Sequence, residues 1–178
     1  EWPKTVINES RKLKHKNFDI DKVEDLRDKV FVTIDGKNAK DFDDAVLGEK
    51  DEEGNLILYV AIADVGRYID IGSNLDQEAY ERGTSVYFSQ KVIPMLPEEL
   101  SNDLCSLKPN EDRFCLVCRT KIDAEGNLSD TSFFEALINS KSRLTYSTVT
   151  REIERQQFKR PYANSLKVLL EIYRRLKR

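Results

Sequence analysis

The sequence predicts a mixed α/β (α+β) domain: a mainly antiparallel or mixed sheet with flanking helices. Three observations predict it. Short runs rich in β-branched and aromatic residues, such as Phe31–Ile34 and Leu56–Val65, are separated by Gly- and Asn-containing turns. Two longer runs, Arg113–Ile122 and Leu128–Ile138, meet near Gly126-Asn127 and have the form of a hairpin. Towards the end the apolar period changes to that of a helix: Leu166, Leu169, Leu170, Tyr173 and Leu176 share one face.

Taken in order, residues 1–29 form a polar lead-in with one short helix near Val6–Lys16, begun by Pro3. Phe31-Val32-Thr33-Ile34 is a strand that stops at the turn signal Asp35-Gly36. A second apolar run starts at Ala45–Leu47, Gly54-Asn55 turns the chain, and Leu56–Val65 is a buried strand. Asn74–Arg82 has helical character with a start at Ser73. Val86-Tyr87-Phe88 is a short apolar segment, and Pro94 and Pro97 bracket a structured loop because proline fixes φ and removes a donor. After the hairpin, Pro161 precedes a helix over Ala163–Arg178 that meets no cap or stop signal, which points to a chain ending inside a larger domain.

With 178 residues the chain has room for one domain or part of one. Its 39% hydrophobic and 34% charged residues, with 8 Phe and 7 Tyr, exclude wholesale disorder. No stretch approaches the roughly 18 apolar residues of a spanning helix, and no signal-peptide layout opens the chain. Three cysteines, an odd number, imply a reducing compartment, so a cytoplasmic protein without a disulfide or a membrane partner is expected. A single histidine, His15, excludes mechanisms that need two. The net charge of −3 divides unevenly: +1 over residues 1–30, −12 over 31–140 and +8 over 141–178. That pattern fits either two solvated surfaces or a carboxylate-rich metal site beside a surface tolerant of polyanions.

The segment Thr33–Ala45 places Asp35, Asp41, Asp43 and Asp44 within ten residues at the end of a strand. Such a set repels itself unless a cation joins it. Mg²⁺ is a hard cation that takes oxygen ligands and is often shared with substrate phosphates. An acidic turn without function is the plain alternative. An EF-hand register fails, since from Asp41 the sixth position is Val46 and from Asp35 it is Lys40. No GxxxxGK[ST] or GxGxxG occurs.

Several blocks occur in one order across residues 25–150: Asp25-Leu26-Arg27, TIDGxxAxDFDDAV over Thr33–Val46, VAIADV over Val60–Val65 and RGTSVYF over Arg82–Phe88. VIPMLP over Val92–Pro97, LSNDLCSL over Leu100–Leu107 and RLTY over Arg143–Tyr146 complete the set. In these blocks the sequence resembles the catalytic domain of the ribonuclease II/ribonuclease R family, closest to its ribonuclease R branch. The resemblance implies residues 1–24 as a lead-in and 25–178 as the N-terminal half of an RNB catalytic domain. It also implies a hydrolytic 3′→5′ exoribonuclease acting on single-stranded RNA 3′ ends and releasing nucleoside 5′-monophosphates. By motif position, Asp35, Asp41 and Asp44 would hold or position Mg²⁺, with Mn²⁺ as a substitute, and Asp43 would be the carboxylate most needed for chemistry. Tyr87 would stack on the 3′-terminal base, and Tyr146 would favour ribose over deoxyribose. The family's later half, with an arginine near the scissile phosphate and a second aromatic clamp, has no counterpart among these residues, nor do its cold-shock and S1 domains. The competing expectation is a non-catalytic RNA-binding or metal-stabilised fragment.

Smaller signals have plain explanations. Cys115 and Cys118 form a CxxC with Cys105 upstream, but in a strand residues three apart face opposite sides, so buried structural cysteines are expected. His15 lies in a basic stretch and is expected to be exposed. Arg174, Arg175, Lys177 and Arg178 are either a solvated helix face or an RNA contact.

Overall fold

A computed structural model of the chain describes residues 1–13, 18–89 and 91–177. Its strands are β1 (Glu24–Leu26), β2 (Val32–Asp35), β3 (Asp44–Lys50), β4 (Leu56–Ala63), β5 (Val86–Tyr87), β6 (Val92–Ile93), β7 (Asp112–Ile122), β8 (Leu128–Asn139) and β9 (Ser142–Thr145). A seven-stranded mixed sheet forms the centre, in the order β1-β8-β7-β4-β3-β2-β9. Neighbours are antiparallel except at the edges, where β1 runs parallel to β8 and β9 parallel to β2. A separate two-stranded ribbon pairs β5 with β6. Helices α1 (Lys4–Leu13), α2 (Asn74–Arg82), α3 (Tyr146–Arg155) and α4 (Ala163–Leu176) flank the sheet. The mixed α/β class expected from the sequence is the one observed.

Strand alternation builds a core on each face. Ala45, Leu47, Ile57, Tyr59, Ala61, Cys115, Val117 and Ile138 point to one side. There Val6 of α1, Leu75 of α2 and Leu100 and Leu107 of the 100–107 segment close over them. Val32, Leu56, Ile122 and Leu144 point to the other side, beneath Leu166, Val168 and Ile172 of α4. The lead-in helix packs against α2, and the Arg82 guanidinium lies 3.5 Å over the Trp2 ring. Ser73 caps α2 through its side chain, and Gly83 ends that helix at φ +70°.

Three expectations need adjustment. The apolar stripe of α4 is rotated: Ser165, Leu166, Val168 and Ile172 are buried, whereas Tyr173 and Leu176 are exposed. Gly48 is the cause. A Cβ there would lie 2.9 Å from the Leu169 nitrogen, so its absence lets α4 lie directly on β3, with the Gly48 N–H donating to Ser165 Oγ at 3.1 Å. Second, the sequence gives little sign of α3. That helix is polar along most of its length, offers Val149 and Ile153 as its aliphatic residues, and is started by Thr145, whose side chain accepts from the Thr148 N–H. Third, α1 starts at Lys4, and its expected extension to Lys16, with His15, lies outside the described residues. Arg178 lies outside them too. Cys115 is buried and Cys118 half-buried, on opposite faces of β7.

Candidate active site

The four aspartates gather at one end of the sheet. Asp35 is the last residue of β2 and half-buried, Asp44 opens β3 and is exposed, and Asp41 and Asp43 sit on the connection between the strands. That connection has no regular structure, so other parts of the chain must hold it. Phe42 is its buried anchor. The buried Ser106 hydroxyl donates to the Lys40 carbonyl at 3.2 Å and accepts from the Phe42 N–H at 3.0 Å, and the Leu107 N–H donates to the Phe42 carbonyl at 2.9 Å. Ala63, at the end of β4, donates its N–H to the Asp43 carbonyl at 2.9 Å. From β9, Arg143 Nη2 donates to the carbonyls of Gly36 at 2.9 Å and Lys37 at 2.7 Å, with Ala39 at 3.4 Å, while its guanidinium lies 5.3 Å from the Phe42 ring centre. A layer further out, Arg113 donates to the carbonyls of Ser106 and Asp103 and so holds the segment that holds the loop.

Tyr87 enters this site from the β5–β6 ribbon. Its hydroxyl donates to Asp41 Oδ2 at 3.0 Å, while the ring remains 63% exposed. The ribbon is fixed at its base, where Ser85 Oγ accepts from the Met95 N–H at 2.9 Å and Arg82 reaches the Pro94 carbonyl. Two cavities adjoin along Asp41 and Tyr87. One, of about 370 Å³, also has Asp43, Ile62, Leu96 and Cys105 in its wall; the other, of about 250 Å³, has Asn38, Lys40 and Asn102. Tyr146 enters neither. It follows Thr145, the β9 partner of Asp35 in the register, and is 63% exposed as the first residue of α3.

The electrostatics are those of carboxylates crowded at one place. Burial raises the pKa of Asp35, the charge of Asp44 adds to it, Arg143 opposes it, and Asp41 and Asp43 raise it further. Asp43 carries a raised pKa through burial, then through Asp41 and Asp44. Although the Asp43 side chain is open to solvent, the protein around it still counts against its charge. The bond to Asp41 raises the Tyr87 pKa. Burial pushes the Cys105 thiol up to about 12, which removes it as a nucleophile at neutral pH.

Comparison with known proteins settles the relationship. The family model of the RNB domain matches residues 23–178. The chain belongs to the RNB family. Ribonuclease R of Escherichia coli (strain K12) is 46% identical over 175 residues, covering 97% of this chain and 22% of that protein. Ribonuclease R of Thermotoga maritima is 46% identical over 156 residues, or 86% of this chain and 22% of its own length. The chain therefore spans about a fifth of these relatives. Among solved structures, Mycoplasma genitalium RNase R in complex with double-stranded RNA superposes with a TM-score of 0.91 at 33% identity, over 99% of this chain and 32% of that one. Yeast Ssd1, described as a pseudonuclease, shares the fold with a TM-score of 0.76 at 21% identity.

Within this RNB chain the structure brings Asp35, Asp41, Asp43, Asp44 and Tyr87 to one end of the sheet, with Tyr146 beside Asp35 along the strand register. Of the RLTY and LSNDLCSL blocks, sequence reasoning assigns a role to Tyr146 alone. It misses Arg143 and Ser106, whose work lies in bonds to backbone carbonyls and amides that no residue pattern displays. The residues fit a hard divalent cation: all the candidate donors are carboxylate oxygens, and Asp35 Oδ2 is buried without a hydrogen-bond partner. Among the described residues no three His, Cys, Asp or Glu side chains close into a cage of their own. Mg²⁺ commonly takes one or two protein carboxylates and completes its shell with water and substrate phosphate. Arg175, from the C-terminal basic run, is engaged with the Asp123 carbonyl and Glu171.

Proposed function

We propose that these residues form the carboxylate half of a Mg²⁺-dependent hydrolytic centre, in which Mn²⁺ substitutes, of a cytoplasmic exoribonuclease. It removes nucleoside 5′-monophosphates one at a time from the 3′ end of single-stranded RNA. The observation that carries this reading is the unpaired, buried oxygen of Asp35 amid three further aspartates. The aspartates of the turns at the other end of the sheet, Asp51 and Asp123, take backbone and asparagine donors, whereas Asp35 Oδ2 has no hydrogen-bond partner.

Asp35, Asp41 and Asp44 hold the metal, directly or through water. When bound, the metal neutralises charge on the phosphodiester and lowers the pKa of a water molecule. Asp43, the remaining carboxylate of the group, accepts a proton from the attacking water. Tyr87 presents an exposed ring beside Asp41 on which the terminal base stacks, a grip that tolerates any base. Its hydroxyl orients Asp41 through the 3.0 Å bond. Tyr146, one residue past the strand partner of Asp35, reads the ribose 2′-hydroxyl in this proposal.

The test is a denaturing gel of 5′-labelled oligo(A) incubated with the chain and Mg²⁺, alongside Asp43→Asn. A ladder that shortens from the 3′ end and disappears in the variant supports the reading. Internal cuts, or a ladder that the variant reproduces, overturn it. A second reading draws on the open side of the site, where no closed cage exists among the described residues and relatives are several times longer: a fragment that binds metal but needs further protein for turnover. In that case Mg²⁺ raises the melting temperature of the chain, Asp35→Asn abolishes the rise, and the oligonucleotide stays intact.

A further inference from the structure

A cavity away from the aspartates carries three cations in its wall. The last turns of α3 and the loop that follows enclose a cavity of about 150 Å³ lined by Thr148, Arg151, Glu152, Arg155, Gln157 and Lys159. Thr148, Arg151 and Arg155 lie at helical spacings of three and four, so they stack on one edge of the helix. Lys159 comes from outside the helix and needs a reason to be there. Glu152 supplies it. This glutamate is buried, its Oε1 accepts from the Tyr162 hydroxyl at 2.9 Å, and its Oε2 accepts from the Lys159 backbone N–H at 3.3 Å. The Gln157 N–H also closes on the Glu152 carbonyl at 3.1 Å. The carboxylate thus folds the 156–160 loop back onto α3 and brings a third cation to the two arginines. Both its oxygens are engaged in doing so.

None of the three cations is paired with a carboxylate among the described residues. Elsewhere the protein pairs its arginines freely: Arg27 with Asp25 and Asp112, Arg67 with Asp64, Arg82 with Glu78. Three such cations around one cavity, in the part of the chain that carries +8, are what a phosphate requires. The position matters as much as the charge. The same helix begins with Tyr146 and is capped by Thr145, the strand partner of Asp35.

We propose that Arg151, Arg155 and Lys159 bind a backbone phosphate of an RNA strand whose 3′ end lies at the aspartates, upstream of the reacting linkage. The inference rests on the exoribonuclease reading for its choice of ligand. The site adds affinity and register, carries no base readout, and takes no part in hydrolysis.

The experiment measures fluorescence anisotropy of a labelled oligo(A) with the whole chain in EDTA, where no turnover occurs, across a salt series. For single strands the slope of log affinity against log salt is about 0.7 in magnitude for each phosphate that the protein neutralises. Arg151→Ala/Arg155→Ala is expected to flatten the slope by about that much for each phosphate no longer neutralised, and to weaken binding. Arg151→Lys/Arg155→Lys retains most of it, and Arg11→Ala/Lys12→Ala on α1 leaves the slope alone. Matched circular dichroism melts confirm that each variant is folded. An unchanged slope in the first variant, an equal flattening in the α1 control, no RNA binding by the chain, or displacement of the RNA by an acidic peptide of equal charge overturns the proposal. Because the assay contains no metal, it succeeds or fails independently of the 3′-shortening gel, which alone decides the hydrolytic reading.

Discussion

The two ends of the central sheet treat their aspartates in opposite ways. At the end remote from the candidate site, the β3–β4 and β7–β8 connections are near copies, Asp51-Glu52-Glu53-Gly54-Asn55 and Asp123-Ala124-Glu125-Gly126-Asn127. In each the aspartate Oδ1 accepts from the backbone two and four residues on, and the asparagine amide donates back to the carboxylate. The glycine takes a φ of +83° or +90°. The pKa of both aspartates is lowered, first by the asparagine side chain. At the other end Asp35 and Asp43 have raised values, and one oxygen of Asp35 has no partner. One fold thus contains carboxylates that complete its own backbone and carboxylates that it holds in place and leaves unsatisfied. The second kind is the one the proposed metal site draws on.

The largest effect should separate the ends by function. Asp43→Asn is expected to reduce 3′ shortening by at least about 100-fold, the usual scale for losing one electrostatic group from a catalytic site, while its melting temperature holds. Asp51→Asn should leave the rate within a factor of two, or roughly 0.4 kcal/mol in barrier. Acid titration divides them as well. A depressed carboxylate contributes stability that is present above its ordinary value of about 3.9 and is lost as pH falls through the folded value. Asp51 and Asp123 should therefore titrate below that value in carbon-detected NMR.

Next in size is the grip on the loop. Arg143→Ala strips the donor from the Gly36 and Lys37 carbonyls and removes the charge that opposes protonation of Asp35. Charge-assisted bonds of this kind contribute about 1.5–3 kcal/mol, and a melt of the variant beside Arg143→Lys measures how much a point charge recovers without the planar fork. If both variants melted like the parent, the loop would be held without Arg143, by Ser106, Phe42 and the backbone bonds from Leu107 and Ala63.

The turns themselves can be told apart by their glycines. A Cβ on Gly54 meets nothing within 4 Å, so Gly54→Ala costs only the left-handed backbone, roughly 1–2 kcal/mol. A Cβ on Gly126 would also lie 3.0 Å from the Arg175 carbonyl of α4, so Gly126→Ala should cost more. In a protein of this size each kcal/mol moves the melting temperature by about 2–4 °C, enough to resolve the pair.

These contrasts also show what the sequence made legible. Both turns were readable, because Gly-Asn after a strand leaves the chain few options. The strands that were read came within a residue or two, because alternation is local, while the short β1, β6 and β9 were not read. The aspartates and Tyr87 were readable through a dense run of motif residues. The face that α4 buries was not, since the close approach of Gly48 to Leu169 joins residues far apart in sequence, and neither was α3, which has only Val149 and Ile153 as aliphatic residues. Arg143 and Ser106 were invisible for the same reason: they act on backbone atoms far away in sequence.

The smallest expected effect bears most directly on the comparison. An aspartate that the fold holds but does not satisfy should cost stability until its ligand arrives. Asp35→Asn keeps the shape, removes the buried charge, and ends its repulsion with Asp44, Asp41 and Asp43. In EDTA the variant should melt slightly higher than the parent, by the order of 0.5 kcal/mol, the low end of gains from relaxing a functional site. With Mg²⁺ the order should reverse, because only the parent gains binding energy from the cation. A variant that melts lower than the parent in EDTA would mean that Asp35 is satisfied within the fold after all, and the distinction between the two ends of the sheet would disappear.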